Sequence, residues 1–424
     1  MITDNPPHAR AQRDASRPGR GRIPADLAER RTAVDLLQLI WKESRISRAE
    51  ISRRTGLSRS TVSAVVSDLI SAGLVAEIGA GPSRGGRRPI ELQFQYDADG
   101  LLGVDLGASH VAVALTNLHG EVRAFSERSW PVREDPQGAL SLMAELCEEV
   151  LPRWPGGSPR MVGIGVGVPS PVDPRQPDRL SDTVVPAWRG VSVTSDLRDR
   201  YGLPLLLDND ANLGALAEHW WGASRAVDDS VFIKVATGIG AGHIIGGRIY
   251  RGATGTAGEI GHMAIDSHGP RCVCGLSGCL VTYVGTEALL RRARELLAAG
   301  RDSQLPRRKL TITQLENAVL AGDPVALEVV REAADHLGTA VAGLLNLVNP
   351  AVVTIGGSLA RLGELLLEPV RQSVRARTLV TSVAAARIVA SELGPRDVAV
   401  GAATLVLQAA LEDLSYFPAP TPPA

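Results

Sequence analysis

The sequence predicts an α/β protein headed by a helix-turn-helix unit, and three observations predict it. From about residue 100, short apolar strand-like runs alternate with amphipathic helical stretches, the pattern of strands interleaved with helices. Residues 47–75 hold two capped helical patterns joined at a glycine. Cys272, Cys274 and Cys279 share one short loop ten residues beyond His262, a spacing suited to a metal.

At 424 residues the chain exceeds one ordinary core, and 44% apolar with 21% charged residues is an ordinary globular composition. The net charge of −1 conceals an asymmetry: residues 1–91 hold 16 Lys and Arg against 10 Asp and Glu, the remainder 29 against 36. A basic N-terminal part on an acidic body fits a chain in which only that part meets phosphate. No run approaches the roughly 20 apolar residues needed to cross a bilayer, and the Arg-rich N-terminus lacks the apolar segment of a secretory signal. Four cysteines, three of them clustered, fit a reducing compartment better than a disulfide scaffold. The expectation is a cytoplasmic protein with no membrane association.

Residues 1–24, rich in Pro, Arg, Asp and Gly, are expected to form a disordered basic arm. Residues 25–95 read as a winged helix-turn-helix. Ser47-Arg48-Ala49-Glu50 is a capping box that opens a helix with Ile51 inward, and Gly56 supplies the tight turn after it. Ser58 caps a second helix whose Val62, Val65, Val66, Leu69 and Ile70 follow helical spacing. Its start and outer face offer Ser58, Arg59, Ser60, Thr61 and Ser63, short polar groups and one guanidinium where a recognition helix meets base edges and phosphates. Ala76-Glu77-Ile78 and the segment Ser83 to Pro89 fit the strands and wing, with Arg84, Arg87 and Arg88 directed at the DNA backbone or minor groove. The plainer alternative is a helical hairpin followed by a basic linker.

The body begins with strand-like runs at 101–105 and 111–115, a helix over 137–152 and a buried strand with alternating glycines over 161–168. A strand at 205–207 runs into a helix over 211–221, and 231–236 with 243–249 reads as a hairpin pair. Residues 285–348 are mostly helical, 351–355 is a short buried strand ended by Gly356-Gly357, and 415–424 reads as a disordered tail. Three thiolates from Cys272, Cys274 and Cys279 and the His262 imidazole make a complete tetrahedral set for Zn²⁺, leaving no position for a catalytic water, so the expected zinc is structural. Gly275 and Gly278 let the loop fold tightly; the alternative is three buried free thiols beside an incidental histidine. Cys147 reads as a small packing residue.

Three motifs carry a resemblance: Gly258-Glu259-Ile260-Gly261-His262 with the Cys-x-Cys-Gly-x-x-Gly-Cys run, Leu207-Asp208-Asn209-Asp210-Ala211-Asn212 through Ala217-Glu218, and Gly163 to Asp173. Over about residues 30–410 the chain resembles the ROK family (repressors, open reading frames, kinases), in its transcription-regulator branch. The resemblance implies an actin-like, ribonuclease H-like two-lobed sugar-kinase fold. Its first lobe would be 100–208 with the helix at about 397–414, its second lobe 209–396 with the zinc site. It also implies a sugar cleft and homodimers or homotetramers.

By the same resemblance Asp210 matches the general base of family kinases, and Asn209, Glu259 and His262 match residues that hold the sugar ring. Such groups pair naturally with a polyol's hydroxyls, although Asp210 also stands where Asp is a favoured helix N-cap. Two departures count against an enzyme. Val281 replaces the sugar-contacting acid after Gly278-Cys279-Leu280, and the phosphate loop reads Asp105-Leu106-Gly107-Ala108-Ser109-His110, with a methyl where phosphate approaches backbone. Asp105, Gly107, Thr237, Gly238, Gly240, Gly356 and Gly357 are then remnants of nucleotide loops, and ATP is a doubtful ligand. The expected function is a sugar-responsive regulator, in tendency a repressor, that binds double-stranded operator DNA without catalysis. The alternatives are an active ATP-dependent sugar kinase with a DNA-binding domain, and a constitutive DNA-binding regulator with an inert kinase-like body.

Overall fold

The computed structural model describes residues 22–23, 25–81, 88–157, 159–173, 175–176, 180, 184–378 and 386–419. The chain opens with α1 (Ala25–Ala28), α2 (Arg31–Lys42), β1 (Ile46–Ser47), α3 (Arg48–Thr55), α4 (Arg59–Ser71), β2 (Val75–Ala80) and β3 (Ile90–Phe94), the strands ordered β1-β3-β2. Local chemistry sets the helix ends. The Ser47 hydroxyl accepts from the Glu50 N–H at 3.2 Å, while the Glu50 carboxylate pairs with Arg53 and Arg54. α3 stops at Gly56, whose φ of +72° is left-handed. Val62, Val65, Val66 and Leu69 of α4 are fully buried with Leu36, Leu37, Ile40 and Ile51.

The body contains two sheets of the same design. The first comprises β4 (Asp99–Leu106), β5 (His110–Asn117), β6 (Val122–Ser129), β7 (Arg160–Val168) and β8 (Leu205–Asn209), in the order β6-β5-β4-β7-β8. α5 (Pro136–Val150) follows β6, and α6 (Ser195–Tyr201) precedes β8. α7 (Asp210–Trp221) leads to the second sheet, β9 (Ser230–Val235), β10 (Ile239–Ile245), β11 (Arg248–Tyr250), β12 (Val352–Gly356) and β13 (Arg387–Ala390), ordered β11-β10-β9-β12-β13. In each, an antiparallel three-strand meander is extended by two parallel strands. The duplication is invisible in the sequence, because it repeats strand order and not residues. Between β11 and β12 lie α8 (Val281–Val284), α9 (Thr286–Ala298), α10 (Ile312–Leu320) and α11 (Pro324–Val348); α12 (Glu364–Arg377) follows β12, and α13 (Asp397–Glu412) closes the body.

α13 returns to the first sheet, and glycines decide how closely. A methyl at Gly103 on β4 or Gly165 on β7 would overlap the backbone carbonyls of Ala399 and Ala402 on α13. α13 in turn crosses α7 at Gly401, where a methyl would overlap the Leu213 carbonyl. Leu213, Leu216, Phe232, Val398, Ala402 and Leu405 are buried together around this crossing.

The structure departs from expectation in four places. The 243–249 strand is broken by Gly246 and Gly247, both at positive φ, so β10 ends at Ile245 and β11 is short. Gly240 lies inside β10, where it admits the Ala211 side chain of α7, and Gly356 lies inside β12, where Phe232 fills the space. Asn209, not Asp210, caps α7. Phe417, expected in a frayed tail, is fully buried, and its carbonyl accepts from the Ile23 N–H at 3.3 Å. Residues 1–21, 24 and 420–424 of the expected arm and tail lie outside the described residues.

Gly401→Ala tests the helix crossing by its sign. Helix propensity alone favours alanine by about 1 kcal/mol, whereas the overlap with Leu213 costs about 1–3 kcal/mol or more. The expected outcome is a lowered urea midpoint; an unchanged or raised midpoint refutes the close approach.

Candidate ligand cleft, metal centre and nucleic-acid interface

β8 delivers Asn209 and Asp210 to the start of α7. The Asn209 Oδ1 accepts from the N–H groups of Ala211 (3.0 Å) and Asn212 (3.3 Å), and its Nδ2 donates to the Ser170 carbonyl at 3.3 Å. With the cap supplied by Asn209, Asp210 is the first helical residue. Its Oδ1 accepts from the Ala211 N–H, and its Oδ2 accepts from Lys234 Nζ at 2.9 Å. Asp208, in the same signature, plays a structural part, since its carboxylate accepts from Arg251 Nε at 2.8 Å and from Asn212 Nδ2 at 3.0 Å.

Lys234 is the functional-site residue that sequence reasoning missed. Its signal was a lone charge in the apolar strand Val231-Phe232-Ile233-Lys234-Val235. The ammonium also lies 3.7 Å from Asp105 Oδ2. Burial works against its charge, but Asp105, Asp210 and Asp397 outweigh that and raise its pKa. Burial likewise pushes the Asp105 carboxyl upward, yet Lys234 and His110 hold it below the usual range. His110 Nε2 lies 3.1 Å from Asp105 Oδ2, and its ring fills the space over Gly107. Asp397, the first residue of α13, is pushed up to about 7 by burial against the pull of Lys234.

Glu259 lies within the electrostatic reach of Asp210, and His262 stands beside Glu259. Burial and then the Asp210 charge raise the Glu259 pKa. Glu259 Oε2 lies 4.0 Å from His262 Nε2, whereas His262 Nδ1 faces Cys272 Sγ at 3.6 Å. The two imidazole nitrogens therefore serve two sides, one toward the cleft and one toward the cysteines. Val281, two residues past Cys279, opens α8 and packs on the second-lobe core.

Of the residues expected to be nucleotide-loop remnants, Thr237 and Gly238 form the β9–β10 turn, closed by the Ala236 N–H to the Gly238 carbonyl. Gly357, at φ +80°, turns the chain out of β12. Gly240 and Gly356 are explained by packing as above. Arg133, from the β6–α5 connection, is exposed and reaches Gly238 and the field of His262.

The ligand atoms of His262, Cys272, Cys274 and Cys279 all lie within 4.8 Å of one another. Cys274 and Cys279 sulfurs are 3.6 Å apart. Tetrahedral Zn–S bonds of about 2.3 Å would place sulfurs about 3.8 Å apart, so the size and chemistry of the donor set suit such an ion. Cys147 is fully buried, its thiol pushed up to about 12, which suits packing and not chemistry.

On the helix-turn-helix, Arg59, Ser60, Thr61 and Ser63 are exposed on α4. The Ser58 hydroxyl accepts from the Thr61 N–H at 3.1 Å and bonds the hydroxyls of Ser60 and Thr61, so this cluster is ordered before any partner arrives. Ser67, exposed one turn further on the same face, was not anticipated. Arg88 is exposed at the base of the β2–β3 wing; Arg84 and Arg87 lie outside the described residues.

A model of the ROK family matches residues 101–409, and one of winged helix-turn-helix DNA-binding domains matches residues 29–76. The xylose repressor of Caldicellulosiruptor bescii is 34% identical over 391 residues, covering 90% of this chain and 96% of that protein. The crystal structure of a ROK family transcriptional regulator, a homologue of the E. coli MLC protein, aligns over 91% of this chain and 97% of its own with a TM-score of 0.75 at 27% identity. A ROK family glucokinase from Streptomyces griseus, in complex with glucose and AMPPNP, aligns over 73% of this chain and 99% of its own with a TM-score of 0.66 at 29% identity.

Arg251→Met leaves the buried Asp208 carboxylate without its guanidinium. The expected loss is about 3–5 kcal/mol in chemical denaturation, the usual result of stripping one partner from a buried pair. A loss under about 1 kcal/mol, the value of an exposed pair, would contradict this assignment.

Proposed function

The chain belongs to the ROK family, and we propose that it is a sugar-responsive, DNA-binding transcriptional regulator that acts as a repressor. One observation carries the proposal: a single helix, α7, links the candidate ligand site to the DNA-binding unit. Its N-terminus presents Asn209 and Asp210 to the cleft. At its C-terminus, the Trp220 and Trp221 rings lie 5.2 and 6.3 Å from the ring of Trp41, near the end of α2. Trp41 is held further by its Nε1 donating to the Leu118 carbonyl and by the Tyr96 hydroxyl donating to the Trp41 carbonyl. A sugar bound by Asp210, Glu259 and His262 acts on α7 directly, and any tilt of that helix moves the surface on which α2 rests. Such a switch needs the sugar to bind one arrangement better than the other.

In this reading Arg59, Ser60, Thr61, Ser63 and Ser67 face the major groove, with Ser58 ordering them. Arg84, Arg87 and Arg88 follow the backbone or minor groove. The cysteine–histidine set holds a structural zinc that fixes His262 Nε2 toward the cleft. The protein works as a homodimer or homotetramer on operator DNA in the cytoplasm and does not phosphorylate its effector. A second reading, a working sugar kinase, is favoured by the retained Asp210 carboxylate and the likeness to the glucokinase. Sugar-dependent ADP release that is lost in Asp210→Asn would establish it.

Three outcomes are expected. In gel shifts on the DNA upstream of its own coding region, the protein binds and one member of a sugar panel releases it; retardation that ignores every sugar and sugar phosphate defeats the sensor reading. Arg59→Ala weakens the complex by about 1–3 kcal/mol, roughly fivefold or more in affinity, with and without sugar. Metal analysis of the purified protein finds about one zinc per chain, and its removal by chelation lowers the melting temperature; protein purified without zinc and equally stable would sink the structural assignment.

A further inference from the structure

We propose that the Lys234 ammonium occupies the place in the cleft where a divalent cation would otherwise sit, and that this fixed charge keeps metal-bound nucleotide out. The inference deepens the sensor reading, on which it rests for the identity of the cleft.

The carboxylates around Lys234 come from three elements remote in sequence: Asp105 at the end of β4, Asp210 at the start of α7 and Asp397 at the start of α13. Lys234 Nζ is 2.9 Å from Asp210 Oδ2 and 3.7 Å from Asp105 Oδ2, and Asp397 acts on it electrostatically. Asp105 Oδ1 and Asp397 Oδ2 are buried with no hydrogen-bond partner among the described residues. The three carboxylates thus offer more acceptor capacity than one ammonium fills. Several carboxylate oxygens converging from different elements are the donor set of a hard divalent cation. Here the convergence surrounds a tethered ammonium whose three donors answer part of it.

The consequence is chemical. A nucleoside triphosphate is strongly anionic and reaches a carboxylate-lined site only with a cation bridging its phosphates to those carboxylates. Lys234 is already engaged by Asp210 and Asp105, so it offers a bare triphosphate little attraction. A metal complex could enter only by expelling an ammonium that is already paired with Asp210. The His110 ring over Gly107 closes the neighbouring phosphate approach independently. An uncharged sugar meets neither obstacle, because it needs only acceptors and donors at the Asp210 and Glu259 side of the cleft.

The test measures metal uptake by the full-length zinc-loaded protein, without DNA or sugar, so it fails separately from the gel shift. Mn²⁺ binding is followed by the loss of free Mn²⁺ signal in electron paramagnetic resonance, for wild type, Lys234→Ala and the double variant Lys234→Ala with Asp105→Asn. Wild type is expected to take up no Mn²⁺ in the cleft. Lys234→Ala is expected to gain a site about tenfold or more tighter than any in wild type, and the double variant to lose it. A folded Lys234→Ala that binds Mn²⁺ no better than wild type overturns the proposal. If Lys234→Ala folds only when millimolar Mn²⁺ is supplied, the cation has replaced the ammonium and the proposal stands; if Mn²⁺ fails to restore folding, it falls.

Discussion

The close crossing of α7 and α13 is the constraint on which the rest of the molecule depends. Each helix belongs to one sheet and touches the other. α7 leaves the first sheet from β8 and lies on β9 and β10, while α13, the last α-helix among the described residues, returns to cover β4 and β7. The helices can approach only because Gly401 carries no side chain against Leu213, and α13 can approach the first sheet only because Gly103 and Gly165 carry none against its backbone. Close-packed interiors respond to small displacements in discrete steps, since no void absorbs them. Both helices begin at the cleft, with Asp210 and Asp397 as their first residues. A change of charge or occupancy there is therefore applied to the two elements that join the lobes.

The same geometry explains why the DNA-binding unit is not a bead on a string. Its core runs continuously into the body: Leu36, Leu37 and Ile40 of α2 share one buried cluster with Leu407, Ala410 and Leu411 of α13. Gln38 Nε2 donates to the Leu411 carbonyl at 2.9 Å, and Trp41 sits in the aromatic group formed with Trp220 and Trp221. α2 thus rests on the far ends of both crossing helices. Their near ends carry the carboxylates that meet Lys234.

Much of the site was legible in the sequence because its signals are local. The cysteine spacing places three sulfurs on one loop whatever the surroundings, and caps at Ser47 and Ser58 depend on residues within one turn. What escaped was set by neighbours distant in the chain. Asp210 looks like a helix cap from its position; Asn209 takes the cap instead, and a lysine 24 residues away gives the Asp210 carboxylate a different partner. Gly240 and Gly356 look like nucleotide-loop residues, yet their missing side chains make room for Ala211 and Phe232. A glycine records that space is needed and does not say for whom. Phe417 looks like part of a tail because nothing near it in sequence reveals the pocket that buries it.

The sequence by itself determined the order of the parts: a helix-turn-helix, an α/β body, and a cysteine–histidine cluster whose spacing suits a metal. These follow from spacing, periodicity and capping, which act over a few residues. The tertiary structure decided what the parts do to one another. It duplicated one sheet design without repeating its residues, and it turned the two nitrogens of His262 toward Glu259 and Cys272. It also gathered Asp105, Asp210 and Asp397 around Lys234. Charges separated by up to 292 residues in the chain act on each other only after folding has removed the water between them, because at that distance in an open chain solvent and salt screen them to nothing.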